Sequence, residues 1–458
     1  MMGKLPKNAK LFFIGIGGVS MSALAVIARE HGYVTGGSDR VQSKNTEMLV
    51  SLGIPVFPKH DEKNIEGWDA VIYNAAIGRD NPELSAAEKK GLPLIYRADF
   101  LAFLMQGYQN SVGVAGMHGK STTSAMLSHL FLHAKRDPAI LIGAELPELG
   151  RDFRSGTGGD FIFEACEYKD SFLSFRPTVA VVLNEEMDHP DWFHSMEQVH
   201  ESFRQYLAIP GEDGTVVLNC DDADVLTSAE GCPAHRVTFG IESPDADFRA
   251  EDISFAGGCP SFTVRKHGEP FCRLSLRVPG MHNVANALAA CAAADVCGLT
   301  ADEIRAGLES FSGAARRMEY KGTLSGAPVS VPVYDDFGHH PSEVKTTLEG
   351  AKRMGYARLR CVYQPHTYSR TVGLFEEFCH AFDAADEVIF ADIYAAREQN
   401  TFGVSSSQLA ERIPHASYQP DWDALLAYLR ETSREGDLLL IMGAGDISRF
   451  AEKIVCRD

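Results

Sequence analysis

Twice in its first third the chain repeats one construction: a short apolar run, a turn opened by glycine, and a stretch with helical periodicity. The first copy reads "KLFFI", "GIGG", "VSMSALAVIAREHG", and the second "NSVGVA", "GMHG", "KSTTSAMLSHL". A strand that feeds a helix cannot pair with the next strand by a tight hairpin, so its neighbours are parallel and reached by crossovers. Strand-like and helix-like segments alternate almost to the end, which predicts an α/β fold built on parallel sheets. At 458 residues the chain exceeds what one hydrophobic core organises.

The pattern divides into three units. Residues 1–107 carry strands at "KLFFIG", "VTGGSD", "AVIYNAAI" and "PLIYRA". Residues 108–314 begin at "NSVGVAG" and include "DFIFEACE", "TVAVVLNEE", a β-rich insert from about 215 to 278 and the helical "NVANALAACAAADVCGLTADEIRAGLESF". The pattern restarts near "SGAARRMEY", and residues 315–458 hold strands at "VPVYDDF", "LRCVYQ", "EVIFADI" and "LLLIMGAG". Ligands in open α/β sheets gather outside the carboxyl ends of the strands, so the loops after these runs are where chemistry is expected.

Charge and cysteine content narrow the partners. A formal charge of -19 argues against nucleic acid, whose phosphates call for a basic surface. Ten cysteines without a CxxC pair predict reduced, packing thiols and a cytoplasmic protein. Lys4, Lys7 and Lys10 before "LFFIGIGG" imitate a signal peptide, but the glycines break the apolar run into strand, turn and helix. No segment reaches membrane-spanning length, so no membrane partner is expected.

The first glycine loop places Gly17, Gly18 and Ser20 between strand and helix, where a missing Cβ lets the backbone approach a diphosphate. Asp39, at the end of the next strand, is positioned for a sugar hydroxyl. With Ser20 in place of the third glycine, the loop suits a nucleotide-sugar diphosphate, a dinucleotide or simply a tight turn. The second loop is a shortened phosphate loop, Gly116-x-x-Gly119-Lys120-Ser121, with Val114 where the full motif has glycine. Backbone N–H groups, the Lys120 ammonium and the Ser121 hydroxyl are the parts that hold ATP and Mg²⁺; a glycine turn with a surface lysine is the alternative.

Glu164 and Glu167 follow one central strand; Glu185, Glu186, Asp188 and His189 follow another. Mg²⁺ takes oxygen ligands and keeps waters, so one or two of these with Ser121 would suffice, although acidic loops are also ordinary solvated turns. In the third unit "YDDFGHHPSEV" offers Asp335, Asp336, His339 and His340 before a helix, and "YQPHTYSRT" offers His366 and Arg370. A guanidinium clamps a carboxylate through two hydrogen bonds, a role open to Arg370, while each histidine could equally cap or pack. Arg316 and Arg317 could meet a phosphate or solvate a linker. Asn286 could read an adenine edge, and His282 or Asn283 could cap the same helix.

Taken together, "GIGGVSMS", "AGMHGKSTT", "EACE", "DHPDWF", "HNVANALAA", "GAARRME", "DDFGHHPSEV" and "QPHTYSRT" occur in an order that resembles the Mur ligase family, which builds the peptide of bacterial peptidoglycan precursors. The resemblance covers essentially the whole chain. It implies a Rossmann-like N-terminal domain, a P-loop-type ATP-binding central domain and a Rossmann-like C-terminal domain. It implies ATP-dependent joining of L-alanine to the lactyl carboxylate of UDP-N-acetylmuramate, by a monomer or homodimer.

Carried over by position, it gives Gly17, Gly18, Ser20, Asp39 and His60 to the UDP-sugar. Gly116, Gly119, Lys120, Ser121, Thr122, Asn286, Arg317 and Asp335 go to ATP. Ser121, Glu164 and His189 go to Mg²⁺, and His339 and Arg370 to the incoming amino acid, with Lys120, His339 and Arg370 as the catalytic set. Met117 and Ser121 stand where the family usually has threonine, Phe337 where it has tyrosine, and "NEEMDHPDW" where "N-I-x-x-D-H-x-D" is expected. Rivals are a family member that attaches a whole tripeptide, a nucleotide-sugar-binding protein without catalysis, and an NAD-dependent oxidoreductase suggested by the first loop alone.

Overall fold

The computed structural model describes residues 5–74, 76–189 and 192–456, which form three sheets in chain order. Three of the quoted stretches run past these limits, one at Ala75 and two at Pro190 with Asp191.

The first sheet has five parallel strands in the spatial order Val56–Phe57, Val34–Ser38, Lys10–Ile14, Ala70–Tyr73, Leu94–Tyr96. The chain reverses direction across the sheet beside Lys10–Ile14, a doubly wound order that opens a crevice at that strand's carboxyl end. Leu11, Phe12, Phe13 and Ile14 are all fully buried because helices cover both faces. The helix Val19–Glu30 follows the glycine turn, and Gly32 at φ +92° lets the chain turn back into Val34–Ser38.

The central sheet is built on Asn110–Ala115, flanked by Val179–Val182 and Asp160–Glu164, all parallel. That order matters for chemistry: the phosphate loop leaves the middle strand, and the two acidic loops leave the strands on either side. The segment expected as a β-rich insert continues this sheet. Thr215–Asn219 and His235–Gly240 add in parallel, then Phe248–Ala256, Cys259–Lys266 and Glu269–Ser275 extend the edge, the last two each antiparallel to the strand before; with Ala139–Leu146 and Arg151–Arg154 at the opposite edge the sheet has ten strands among the described residues. The long helical segment is two helices, His282–Val296 and Ala301–Ser310, separated at Gly298 and restarted by a Thr300–Glu303 capping box.

The third sheet runs Ala416–Tyr418, Glu387–Phe390, Arg358–Tyr363, Asp437–Met442 and Pro332–Asp336 in parallel, then Glu319–Leu324 and Val455–Cys456 antiparallel. Helices give it a separate apolar core on each face. The first two units share a core, in which Tyr108 packs on Phe161 at 5.2 Å and Met117 is buried. All ten cysteines are free. Among the described residues no helix is long and apolar enough to cross a membrane.

Candidate active site

The phosphate loop is shaped by two glycines that no other residue could replace without strain. Gly116 has φ +137° and Gly119 φ +81°. A Cβ at Gly119 would stand 2.7 Å from Asn286 Oδ1, so Asn286 reaches the loop directly. Asn184, just beyond Val179–Val182, fastens the loop: its Oδ1 accepts from His118 N at 2.8 Å, and its Nδ2 donates to the His118 carbonyl at 3.0 Å. The side chain of Met117, where the family usually has threonine, points into the core rather than the cleft, while its carbonyl takes part in the site.

At the head of helix Lys120–His133 four motifs meet. Lys120 Nζ donates to the carbonyls of Gly116 at 2.6 Å and Met117 at 3.0 Å, and lies 3.0 Å from Glu167 Oε2. Burial opposes its charge, but Glu167, with Cys166 and Glu164, outweighs burial and raises its pKa, so it stays a cation. Ser121 Oγ donates to Glu164 Oε2 at 2.7 Å and accepts from Arg317 Nη2 at 3.1 Å. His189, at φ +54°, sets Nε2 3.1 Å from Glu167 Oε1. Ser121 and Glu164 are thus adjacent, whereas His189 joins them only through Glu167, a residue the expected metal set did not include. The Ser121 hydroxyl and two carboxylates, one of them held anionic despite burial, form a hard-oxygen donor set that fits Mg²⁺.

A cleft opens beside this head, lined by His118, Gly119, Thr122, Asn286, Arg317 and Asp336 among others. It lies between the central and third units. Side chains alternate along Pro332–Asp336, so Asp336 faces the cleft while Asp335, expected at the nucleotide, is buried against Arg316 at 3.2 Å. Burial lifts the Asp335 pKa to about 6 in spite of that arginine. Phe337 packs its ring between Arg316 and Arg317, with guanidinium carbons 4.8 and 5.3 Å from the ring centre.

His339 and Arg370 come together across His366. The His339 and His366 rings are 5.8 Å apart, and Arg370 Nη1 is 3.3 Å from His366 Nδ1. Burial pushes the His339 pKa down to about 3 although Glu343 opposes the shift, which keeps the ring neutral. Arg370 is not free. It meets Asp188 of the central unit, Nη2 to Oδ1 at 3.1 Å and Nε to Oδ1 at 3.2 Å, both residues buried. Burial would raise the Asp188 pKa, but Arg370 and His189 hold it well below the usual carboxylate range.

One departure from the family pattern is a buried acid. Glu185, at the position of the expected isoleucine, is buried; its Oε2 accepts from Ser228 Oγ at 2.7 Å and its Oε1 has no hydrogen-bond partner. Burial lifts its pKa to about 8, the Ser228 hydrogen bond only moderating the rise.

The first-sheet loop is quieter. Gly17 N donates to Asp39 Oδ2 at 2.9 Å, and a Cβ on Gly17 would stand 2.7 Å from Thr46 Cγ2. Gly18 is the residue before helix Val19–Glu30, whose first N–H groups carry no side-chain cap. Ser20 Oγ accepts from Arg97 at 2.9 Å. His60 Nδ1 lies 2.9 Å from Ser38 Oγ and 2.8 Å from the buried Glu83. Arg97 and Glu83 carried no motif; only the fold brings them to this crevice.

A phosphate loop and its acidic neighbours, facing a third nucleotide-type sheet across a shared cleft, define an ATP-dependent ligase of three units. The chain matches the Mur ligase family catalytic domain over residues 10–109, the Mur ligase middle domain over 114–294 and the Mur ligase glutamate ligase domain over 316–445, and it belongs to the Mur ligase family. It is 44% identical over 451 residues to the UDP-N-acetylmuramate--L-alanine ligase of Acetivibrio thermocellus, covering 97% of this chain and 95% of that one. To the enzyme of the same name from Clostridium perfringens it is 42% identical, over 97% of each chain. Among solved structures it superposes on the UDP-N-acetylmuramate-alanine ligase of Thermotoga maritima with a TM-score of 0.78 and 26% identity, covering 97% and 98% of the two chains.

Proposed function

We propose that this protein joins L-alanine to the lactyl carboxylate of UDP-N-acetylmuramate at the expense of ATP, a step in peptidoglycan precursor synthesis. The observation that carries the reading is the Lys120–Ser121 head, with Glu164 and Glu167 beside it, opening on a cleft whose far wall is the third unit. The lactyl carboxylate attacks the γ-phosphorus of ATP, ADP leaves, and an acyl phosphate forms. The amine of alanine then attacks the acyl carbon, its nitrogen sheds a proton, and phosphate departs from the tetrahedral intermediate.

Each residue set has a role in that scheme. Lys120 neutralises the transferring phosphoryl group, and the loop N–H groups cradle it. Mg²⁺ would be held by Ser121 and Glu164, with His189 supporting through Glu167, and would supply charge neutralisation at the β- and γ-phosphates. Gly116, Gly119, Thr122, Asn286 and Arg317 hold the rest of the nucleotide, with Asp336 taking the place expected for Asp335. Gly17, Gly18, Ser20, Asp39 and His60 bind the UDP-sugar on the first unit. Arg370 receives the alanine carboxylate, which displaces or shares the position of Asp188, and neutral His339 orients the amine.

The three units divide at 107/108 and 314/315, and water is kept from the acyl phosphate by closure of the third on the second. The protein acts in the cytoplasm as a monomer or homodimer. Phosphate release from ATP and Mg²⁺ tests the proposal: it should require both UDP-N-acetylmuramate and L-alanine. Release with a tripeptide in place of alanine, or with no amine at all, would overturn it.

A further inference from the structure

A second side-chain cluster shares no residue with the Ser121–Glu164 pair. His118, in the phosphate loop, places Nε2 2.8 Å from Glu186 Oε2, and His340 places Nδ1 3.8 Å from the same oxygen. The three ligand atoms lie within 4.8 Å of one another, and the two imidazole rings are 4.7 Å apart. The Ser342 hydroxyl sits among them, 2.8 Å from His118 Nε2, 2.9 Å from Glu186 Oε2 and 2.7 Å from His340 Nδ1. Four lone-pair donors therefore converge from three separate segments of the chain.

The four converging atoms are hydrogen-bonded to one another, and the nitrogen on the far side of each ring is the one left over. Each ring keeps one buried nitrogen without a hydrogen-bond partner, His118 Nδ1 and His340 Nε2. His118 Nδ1 faces the carboxylate of Glu343 at 3.5 Å, the arrangement by which a carboxylate orients a metal-bound imidazole from behind. Two imidazoles with one carboxylate suit zinc-type dications and not Mg²⁺, which demands oxygen. Three protein ligands with a hydroxyl or water in the fourth place match the tetrahedral preference of zinc.

We propose that His118, Glu186 and His340, with the Ser342 hydroxyl as fourth donor, bind a zinc-type dication that fastens the third unit to the phosphate loop. His118 and Ser342 also line the nucleotide cleft, so the ion would sit at its wall and hold the two units together there. The proposal stands on these side chains and does not depend on the ligase reading.

The test is titration of the metal-stripped, full-length protein with Co²⁺, excess Mg²⁺ being present to fill the oxygen-ligand position. Visible absorption bands should saturate at one Co²⁺ per chain and be displaced by Zn²⁺. Glu186→Gln, on a loop, and His340→Asn should each weaken Co²⁺ binding about 10- to 100-fold. Ser121→Ala should leave it unchanged. Because His340 also caps the helix Pro341–Lys352, Glu186→Gln is the decisive variant and circular dichroism checks both folds. Absence of Co²⁺ bands, wild-type affinity in Glu186→Gln, or loss of binding in Ser121→Ala would overturn the proposal.

Discussion

The two glycine loops begin from the same design and end in different chemistry. Both follow a buried parallel strand and open a helix, so both present backbone N–H groups to an anion. In the first, Asp39 accepts from the loop's own Gly17 N–H, and the one cation beside it, Arg97, meets only the Ser20 hydroxyl. In the second, a buried ammonium and a hydroxyl face two carboxylates that follow one neighbouring strand, and a histidine from beyond the other meets one of them. Backbone geometry is enough to bind a diphosphate; moving a phosphoryl group requires fixed charge where charge develops.

Substitutions can break that contrast. Lys120→Ala should lower phosphate release by about 10³-fold while leaving UDP-sugar binding intact. If a binding titration showed both functions falling together, the two loops would not be independent. Arg370→Lys keeps the charge but loses the two-pronged geometry, and should raise the KM for L-alanine about 10- to 100-fold with the KM for ATP unmoved. Gly17→Ala puts a methyl group against Thr46 and Asp39, and should raise the KM for the UDP-sugar about tenfold with little change in kcat.

The smallest effect is on stability and sharpens the contrast from the central side. Glu185 holds its proton in the fold up to about pH 8, whereas the unfolded chain gives it up near its ordinary value of 4.5. Stability therefore falls as pH rises through that window. Glu185→Gln, which cannot ionise, should raise the thermal midpoint at pH 8, by a gain on the order of 2 kcal/mol that vanishes at acid pH below 4.5. An equal shift at both ends would mean the carboxyl is not held neutral.

Much of the fold was legible because burial on both faces of a parallel sheet writes continuous apolar runs into the sequence. "KLFFI", "LRCVY" and "DLLLIM" all became strands. The stretch 215–278 read as β-rich within the central unit, but periodicity identifies a strand and not the sheet it joins. For the site, spacing was enough to single out Lys120 and Ser121 as candidates, since they lie in one turn of chain. It does not separate Asp335 from Asp336, of which strand alternation puts the second on the cleft. Glu167 was among the acidic candidates for Mg²⁺ but not in the set the resemblance gave, and Arg97 and Glu83 were missed at the crevice because nothing local distinguishes them from other basic or acidic positions.

By itself the sequence determined the strand–turn–helix repeats, the three-unit division it implies and the chemistry each loop is equipped for. These follow from local backbone preference and from hydrophobic period, which act over a few residues. Only the tertiary structure decided which loops share a cleft, that Arg370 meets Asp188 across two units, and that His118, Glu186 and His340 converge. Strand order and the seating of one sheet against another are set by long-range packing. Charges far apart in the chain become neighbours only when that packing leaves them no other partner.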